Sequence, residues 1–255
     1  MLKASCLIKK GVDKMTFQEI MTTILNGLSQ GGVYALIALG YTMVYGIAKM
    51  LNFAHGDIIM VGGYAIYVVF ASWGMPILAI GFAIVFCSIL GILMEKLAYK
   101  PLRKASPLAV LITAIGVSYL LQSLGLIIFK SAPKMITNLF PNLSVFQKTI
   151  ITLASAIVIM AVLTIFIRFS KIGKAMRAVS EDKGAAILMG INANMIISIT
   201  FAIGSALAAI ASLFYLMKTP QITYTMGSMP GIKAFTAAVI GGIGSIPGAM
   251  IGGLL

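Results

Sequence analysis

Apolar residues run along this chain in long blocks, without the strict alternation of a half-buried strand. Blocks of about 20 apolar residues match the hydrocarbon thickness of a bilayer when coiled as α-helices. The pattern predicts a first helix from Ile20 past Gly40, a second from Ile58 to Phe70 and a third from Ile77 to Met94. A fourth runs from Leu108 to Phe129, a fifth from Ile150 to Ile167 and a sixth from Met195 to Met217. A glycine-broken apolar stretch from Gly231 to Leu255 follows. Trp73, Gly74 and Pro76 read as an interfacial turn, and Pro133, Asn138, Pro141 and Asn142 as a polar loop. The expectation is an all-α fold: a polytopic membrane bundle of about seven or eight spans with discontinuous, Gly-rich segments.

Small residues recur at four-residue spacing, which lets helix backbones approach closely in lipid. Gly27 and Gly31 form one such pair; Gly204, Ala208 and Ser212, with Ser205 and Ala209, form a stripe on the sixth helix. Gly244, Gly248 and Gly252 repeat in the last segment. The two Gly-interrupted regions, 27–63 and 227–252, fit broken helices beside a transport path. They fit tight packing equally well, and the two readings are compatible.

Composition settles the class. The chain is 60 % apolar and 10 % charged, far from the balance of a soluble domain. Its 255 residues leave no room for a separate soluble domain, so residues 1–15 read as a basic leader and 16–255 as one transmembrane domain. Lys3, Lys9 and Lys10 precede an apolar run with no cleavage site, which predicts an uncleaved first helix. The net charge of +13 does not point to nucleic acid. Basic residues sit in short loops at 95–104 and from Arg168 to Lys183, where they orient helices toward the cytoplasm and meet anionic lipid headgroups. Cys6 and Cys87 supply neither a disulfide framework nor a metal-ligand spacing. There is no phosphate-binding loop and no nucleophile–base pair, so no enzymatic activity, metal or cofactor is expected. Energy for transport would come from a partner or an ion gradient.

The charge rule creates a conflict at the N-terminus. A cytoplasmic 95–104 loop places residues 51–57 on the cytoplasmic side, and an unbroken first helix would then leave the basic leader outside. A bend within residues 20–57, at Gly31, Gly32 and Gly40, removes the conflict and is the expectation adopted. Failure of the charge rule at the N-terminus is the other solution.

The stretch Leu51-Asn52-Phe53-Ala54-His55-Gly56-Asp57 holds the sole histidine and one of six acidic residues. An Asp at the membrane centre costs about 2.5–3.5 kcal/mol on insertion scales, so a chain that keeps one there uses it. Asn52, Phe53, His55 and Asp57 are candidate path-lining residues, joined by Gly241, Gly242 and Ser245 from the second Gly-rich region. His55 and Asp57 could also relay protons, as in a proton-coupled secondary transporter or channel. The plainer alternative is a cap: Asn52 or Asp57 at the N-terminus of the second helix, with His55 at the interface.

A second informative stretch is 171–190. Lys171, Lys174 and Arg177 mark a basic face, while Ile172, Met176, Val179, Ala186 and Ile187 can form an apolar one. This is an amphipathic helix, either lying on the membrane surface or docking a soluble partner.

The run from Asn26 to Gly40, continued by Asn52-Phe53-Ala54-His55-Gly56-Asp57, resembles the signature of bacterial branched-chain amino acid ABC transporter permeases of the LivH type. Lys100-Pro101-Leu102-Arg103, the loop from Gly173 to Gly190, and Phe235 to Ala249 fit the same resemblance. It implies a permease of the bacterial plasma membrane that pairs with a second related permease, two cytoplasmic ATPases and an extracytoplasmic substrate-binding protein. ATP would be used by the partner subunits. Such permeases dock their ATPases through a Glu-Ala-Ala-x-x-x-Gly pattern. Ala185, Ala186 and Gly190 match it, while Gly184 replaces the Glu; Lys174, Arg177, Glu181 and Asp182 complete the expected coupling set. Family members continue past the Gly-rich segment with at least one more helix, so a missing C-terminal helix is a further expectation. Related permeases also carry other amino acids, amides or urea.

Overall fold

The structure, a computed structural model, describes residues 17–103, 105–136 and 143–255. The leader at 1–15, Lys104, Asn138, Pro141 and Asn142 lie outside the described residues. Ten α-helices are described: α1 (Phe17–Ala48), α2 (His55–Trp73), α3 (Pro76–Met94), α4 (Pro107–Phe129), α5 (Val145–Phe169), α6 (Lys171–Glu181), α7 (Lys183–Leu188), α8 (Ala193–Lys218), α9 (Ser228–Ile240) and α10 (Ile246–Leu254). A π-helical turn, Glu95–Tyr99, extends α3. The strands β1 (Lys134–Met135) and β2 (Gln221–Ile222) pair antiparallel, with Lys134 opposite Ile222.

Local chemistry sets most boundaries. Gly74, in the left-handed region at φ 66°, ends α2, and Pro76 opens α3 where its missing N–H costs nothing. The Ser106 hydroxyl caps α4. Ser144 and Gln147 cap α5 reciprocally, each side chain accepting the other residue's backbone N–H. Asn192 caps α8 by accepting from the Met195 amide.

Six helices among the described residues are long and apolar enough to cross a membrane: α1 to α5 and α8. The seven or eight spans expected resolve into these six plus the shorter pair α9 and α10. The bend expected within residues 20–57 is not there: α1 is one unbroken helix of 32 residues. At about 1.5 Å per residue it is longer than a bilayer core of about 30 Å. Its glycines serve packing instead of breakage. Gly31 meets the backbone of Gly253 and Leu254, and Gly40 makes room for His55. Gly27, its partner in the expected close-approach pair, faces open space.

The N-terminal end of α1 therefore lies opposite the basic loops. Lys218 Nζ donates to the Asn26 carbonyl at 2.8 Å, and Thr149 Oγ1 to the Leu25 carbonyl at 3.3 Å. These bonds tie that end to the end of α8 and the start of α5. The bend that would have removed the conflict is thus absent from the described residues, while the basic leader itself lies outside them.

The core is built on α1, α2 and α8. The small-residue stripe of α8 faces three neighbours: Gly204 against Gly40 and Val44 of α1, Ala209 and Ser212 against Gly62 of α2, and Ser205 against Gly91 of α3. Without a hydrophobic drive between helices in lipid, this close packing is what holds them. The apolar faces of α4 and α5 stay largely exposed, as lipid-facing surfaces are.

Two helices start inside the bundle. After Ala48 the chain turns at Lys49 (φ 54°) and runs back inward, so α2 begins beside Tyr41, about two turns short of the end of α1. From the opposite side, residues 219–227 lead inward to α9, whose start lies against the start of α2. Gly227 and Gly231 touch the backbone of Gly56 there. Then α9 and α10 fold into a hairpin, with Gly241 against the backbone of Gly248 and Gly253 against Ala35 of α1. Of the two Gly-interrupted regions, 27–63 is broken at 49–54, beyond the end of α1, and 227–252 at 241–245, between α9 and α10; the inward run at 219–227 lies ahead of the second region.

Candidate functional site

The two interior helix starts bring polar groups together. Asp57, 1 % exposed, lies in the first turn of α2. Ser118 of α4 donates its hydroxyl to Asp57 Oδ2 at 2.5 Å, and Gln122 Nε2 donates to Oδ1 at 3.0 Å. Gln122 reaches the Ser228 hydroxyl of α9 as well, at 3.2 Å. One hydrogen-bonded cluster thus joins α2, α4 and α9, with Gln122 linking the carboxylate to Ser228. Among the described residues no Lys, Arg or His pairs with it. The cluster lines a cavity of about 250 Å³ whose apolar walls include Phe53, Ile115 and Ile232.

Neither cap reading survives. The N-cap position of α2 is Ala54, and no side chain caps it. Asn52 is buried and accepts a hydrogen bond from the Tyr99 hydroxyl at 2.7 Å, joining the start of α2 to the end of α3. Nor is His55 at an interface. It is buried, with its ring edge-on to Tyr41 at 4.7 Å and its Nε2 against Gly40. Residues two apart on a helix point to different sides. Asp57 therefore turns to α4 while His55 turns to α1, and no hydrogen bond joins them as a relay would need. Phe53 packs against Phe235 of α9 with the rings tilted by 53°, at 5.0 Å between centroids.

Gly241, Gly242 and Ser245 are not brought to this cluster. They form the tip of the α9–α10 hairpin, with Gly242 at φ 86° and the Ser245 hydroxyl capping α10.

At the end of α3 that carries the basic 95–103 segment, Glu95 is fully buried. It pairs with Arg103, which also bonds Asn194, and it accepts from the Ser198 hydroxyl at 2.5 Å. This network fastens the π-helical turn to α8. Beside it opens a cavity of about 410 Å³, whose walls include Lys49, Arg103, Val179 and Lys183.

The expected single helix over 171–190 is two helices. Asp182 breaks α6 and caps α7, its Oδ1 accepting from the Gly184 and Ala185 amides at 2.7 and 3.0 Å. Gly190, at φ 81°, turns the chain toward α8. Met176, Val179 and Ala186 are buried as expected, whereas Ile172 and Ile187 are exposed. Lys174, Arg177, Glu181, Asp182, Ala185 and Gly190 are all exposed. Beside them Leu188 and Met189 stand 89 % and 82 % exposed. Replacing Gly190 with valine is expected to lower the melting temperature of the purified protein, because a β-branched residue does not adopt that φ without strain.

Three members of the cluster had escaped notice: Ser118, Gln122 and Ser228. The available signal was Ser118 and Gln122, four residues apart and so on one face, inside an otherwise apolar span.

The family model described as the branched-chain amino acid transport system permease component matches residues 23–255. The chain is 44 % identical to the high-affinity branched-chain amino acid transport system permease protein BraD of Pseudomonas aeruginosa, over 91 % of this chain and 82 % of that protein. It is equally similar to LivH of Escherichia coli K12, at 44 % identity over 94 % of this chain and 84 % of LivH. A probable LivH of Methanocaldococcus jannaschii is 30 % identical over 91 % of this chain. No solved structure matches. With the match running from within α1 through the α9–α10 hairpin, the chain belongs to the family of branched-chain amino acid transport permeases.

Proposed function

We propose that this chain is the membrane-spanning subunit of an ATP-driven importer of branched-chain or chemically related amino acids. It is a multi-pass protein of the bacterial inner membrane. Its partners in this reading are a second related permease, two cytoplasmic ATPase subunits and an extracytoplasmic binding protein. Exposure of the α6–α7 segment is the observation that carries the reading. Leu188 and Met189 stand exposed beside charged residues, and an exposed apolar patch rimmed by charge suits a docking surface. Lys174, Arg177, Glu181 and Asp182 supply that rim, and Ala185, Ala186 and Gly190 the helix and its turn. Buried Met176 and Val179 connect α6 to the bundle, so movement imposed on the segment reaches the helices. Nothing links His55 to Asp57, and the proton-coupled alternative has no further support.

Co-purification tests the reading. Leu188→Asp with Met189→Asp is expected to release the ATPase subunits from the complex, and charge reversal at Glu181 and Asp182 to uncouple ATP hydrolysis from uptake. Retention of the ATPases and of full uptake by both variants would contradict it.

A further inference from the structure

We propose that Asp57, with Ser118, Gln122 and Ser228, is the station at which the permease itself holds the α-ammonium group of its cargo. The proposal deepens the importer reading and rests on it for the identity of the cargo. Its physical basis is a carboxylate without a counter-charge. Asp57 is buried inside an apolar bundle, where an ion needs a partner, and no cationic side chain among the described residues provides one. Its two hydrogen bonds come from neutral groups, Ser118 and Gln122, which orient the carboxylate without neutralising it.

The group also faces space. The same four residues line the cavity of about 250 Å³ between α2, α4 and α9. A primary ammonium has three donors, and this wall offers it the Asp57 oxygens and the Ser118 and Ser228 hydroxyls as acceptors. The remainder of the lining is mostly apolar, with Tyr41 and Tyr119 the other residues that carry a polar atom on the side chain. Phe53, Ile115 and Ile232 supply apolar surface for an aliphatic side chain. Few polar groups converging in an apolar pocket fix orientation while the walls accept bulk. The site would read the ammonium strictly and the aliphatic group loosely. Tight binding is not wanted on a path the cargo must leave, and a single charge-assisted contact is consistent with that.

Backbone placement makes the station dependent on helix position. The starts of α2 and α9 touch at Gly56, Gly227 and Gly231, so Asp57 and Ser228 share one cavity only while those backbones stay in contact. A relative shift of α9 would separate Ser228 from Gln122 and open the station.

The test is protection of Asp57 from a hydrophobic carbodiimide in the purified complex, read at that residue by mass spectrometry. L-leucine and leucinamide, which both carry the ammonium, are expected to slow labelling. The α-hydroxy analogue of leucine, which lacks it, is expected to leave labelling unchanged. Equal protection by the hydroxy analogue, or none by leucine, overturns the proposal. In reconstituted vesicles, Asp57→Asn is expected to lower leucine kcat/KM about tenfold or more, with partial recovery in Asp57→Glu. An Asp57→Asn variant that folds and transports as the unaltered protein does would also overturn it. If unaltered vesicles take up no leucine with ATP, the importer reading falls, while the labelling experiment still decides what Asp57 holds.

Discussion

Valine in place of Gly56 is expected to abolish transport and to lower the thermal stability of the purified protein. A Cβ at this position would meet the Gly227 carbonyl oxygen at 2.6 Å and the Gly231 Cα at 3.1 Å. Both obstacles are backbone, so no side chain can rotate away. The starts of α2 and α9 would be forced apart, at a cost of about 1–3 kcal/mol or more for overpacking. The functional loss is expected to exceed the stability loss, because Asp57 follows directly and would be pulled from Ser118 and Gln122. Gly27→Ala is the matched control. Nothing lies within 4 Å of a Cβ there, and alanine favours the helix by about 1 kcal/mol over glycine. Uptake at the level of the unaltered protein is expected for it. Measuring uptake and melting temperature for both variants separates a local close approach from a general intolerance of glycine replacement.

The second large effect is expected at Glu95. Its carboxylate is fully buried and satisfied by Arg103 and Ser198, and Arg103 in turn reaches Asn194. Removing one partner of a buried pair leaves the other charge uncompensated, at a cost of about 3–5 kcal/mol. Glu95→Ala should therefore lower the melting temperature well beyond what exposed charge changes do, and Arg103→Ala should do the same. The double variant should cost less than the sum of the two, since neither charge is then left alone. The same network binds the π-helical turn of α3 to α8, so the single variants should also loosen the end of the bundle that borders the cavity beside Val179 and Lys183. Additive single effects would show that the pair is not coupled.

Much of the bundle was legible in the residues. The third and fourth helices begin and end within a residue or two of where apolar composition placed them, at Pro76–Met94 and Pro107–Phe129. In lipid, every backbone group must be paired inside the segment, so an apolar run of that length has little choice but a helix. The small-residue stripe on α8 was readable for a related reason: close helix approach in lipid needs small side chains, and each of its faces found a neighbour.

Glycine was the misleading signal. In α1, Gly31 and Gly40 looked like hinges, yet they clear space for Leu254 and His55 while the helix continues through them. A glycine that ends a helix and one that admits a neighbour read alike until the neighbour is known. The polar stretch at 52–57 was located but its roles were not. Which side of α2 each residue faces depends on where that helix begins, and it begins one residue after Ala54, with no capping side chain to announce it. Helical phase then sends Asp57 to Ser118 and Gln122, and His55 into the core. The partners of Asp57 lie 61 and 65 residues away along the chain, which no local pattern reveals.

The importer reading is tested most directly by energising vesicles in two separate ways. This chain is reconstituted with its partner permease, ATPases and binding protein, and leucine uptake is followed with ATP supplied on the cytoplasmic side or with an imposed proton gradient alone. The account predicts uptake that requires ATP and the binding protein and that persists when an uncoupler dissipates the proton gradient. Uptake driven by the gradient without ATP, and lost on adding the uncoupler, would contradict it.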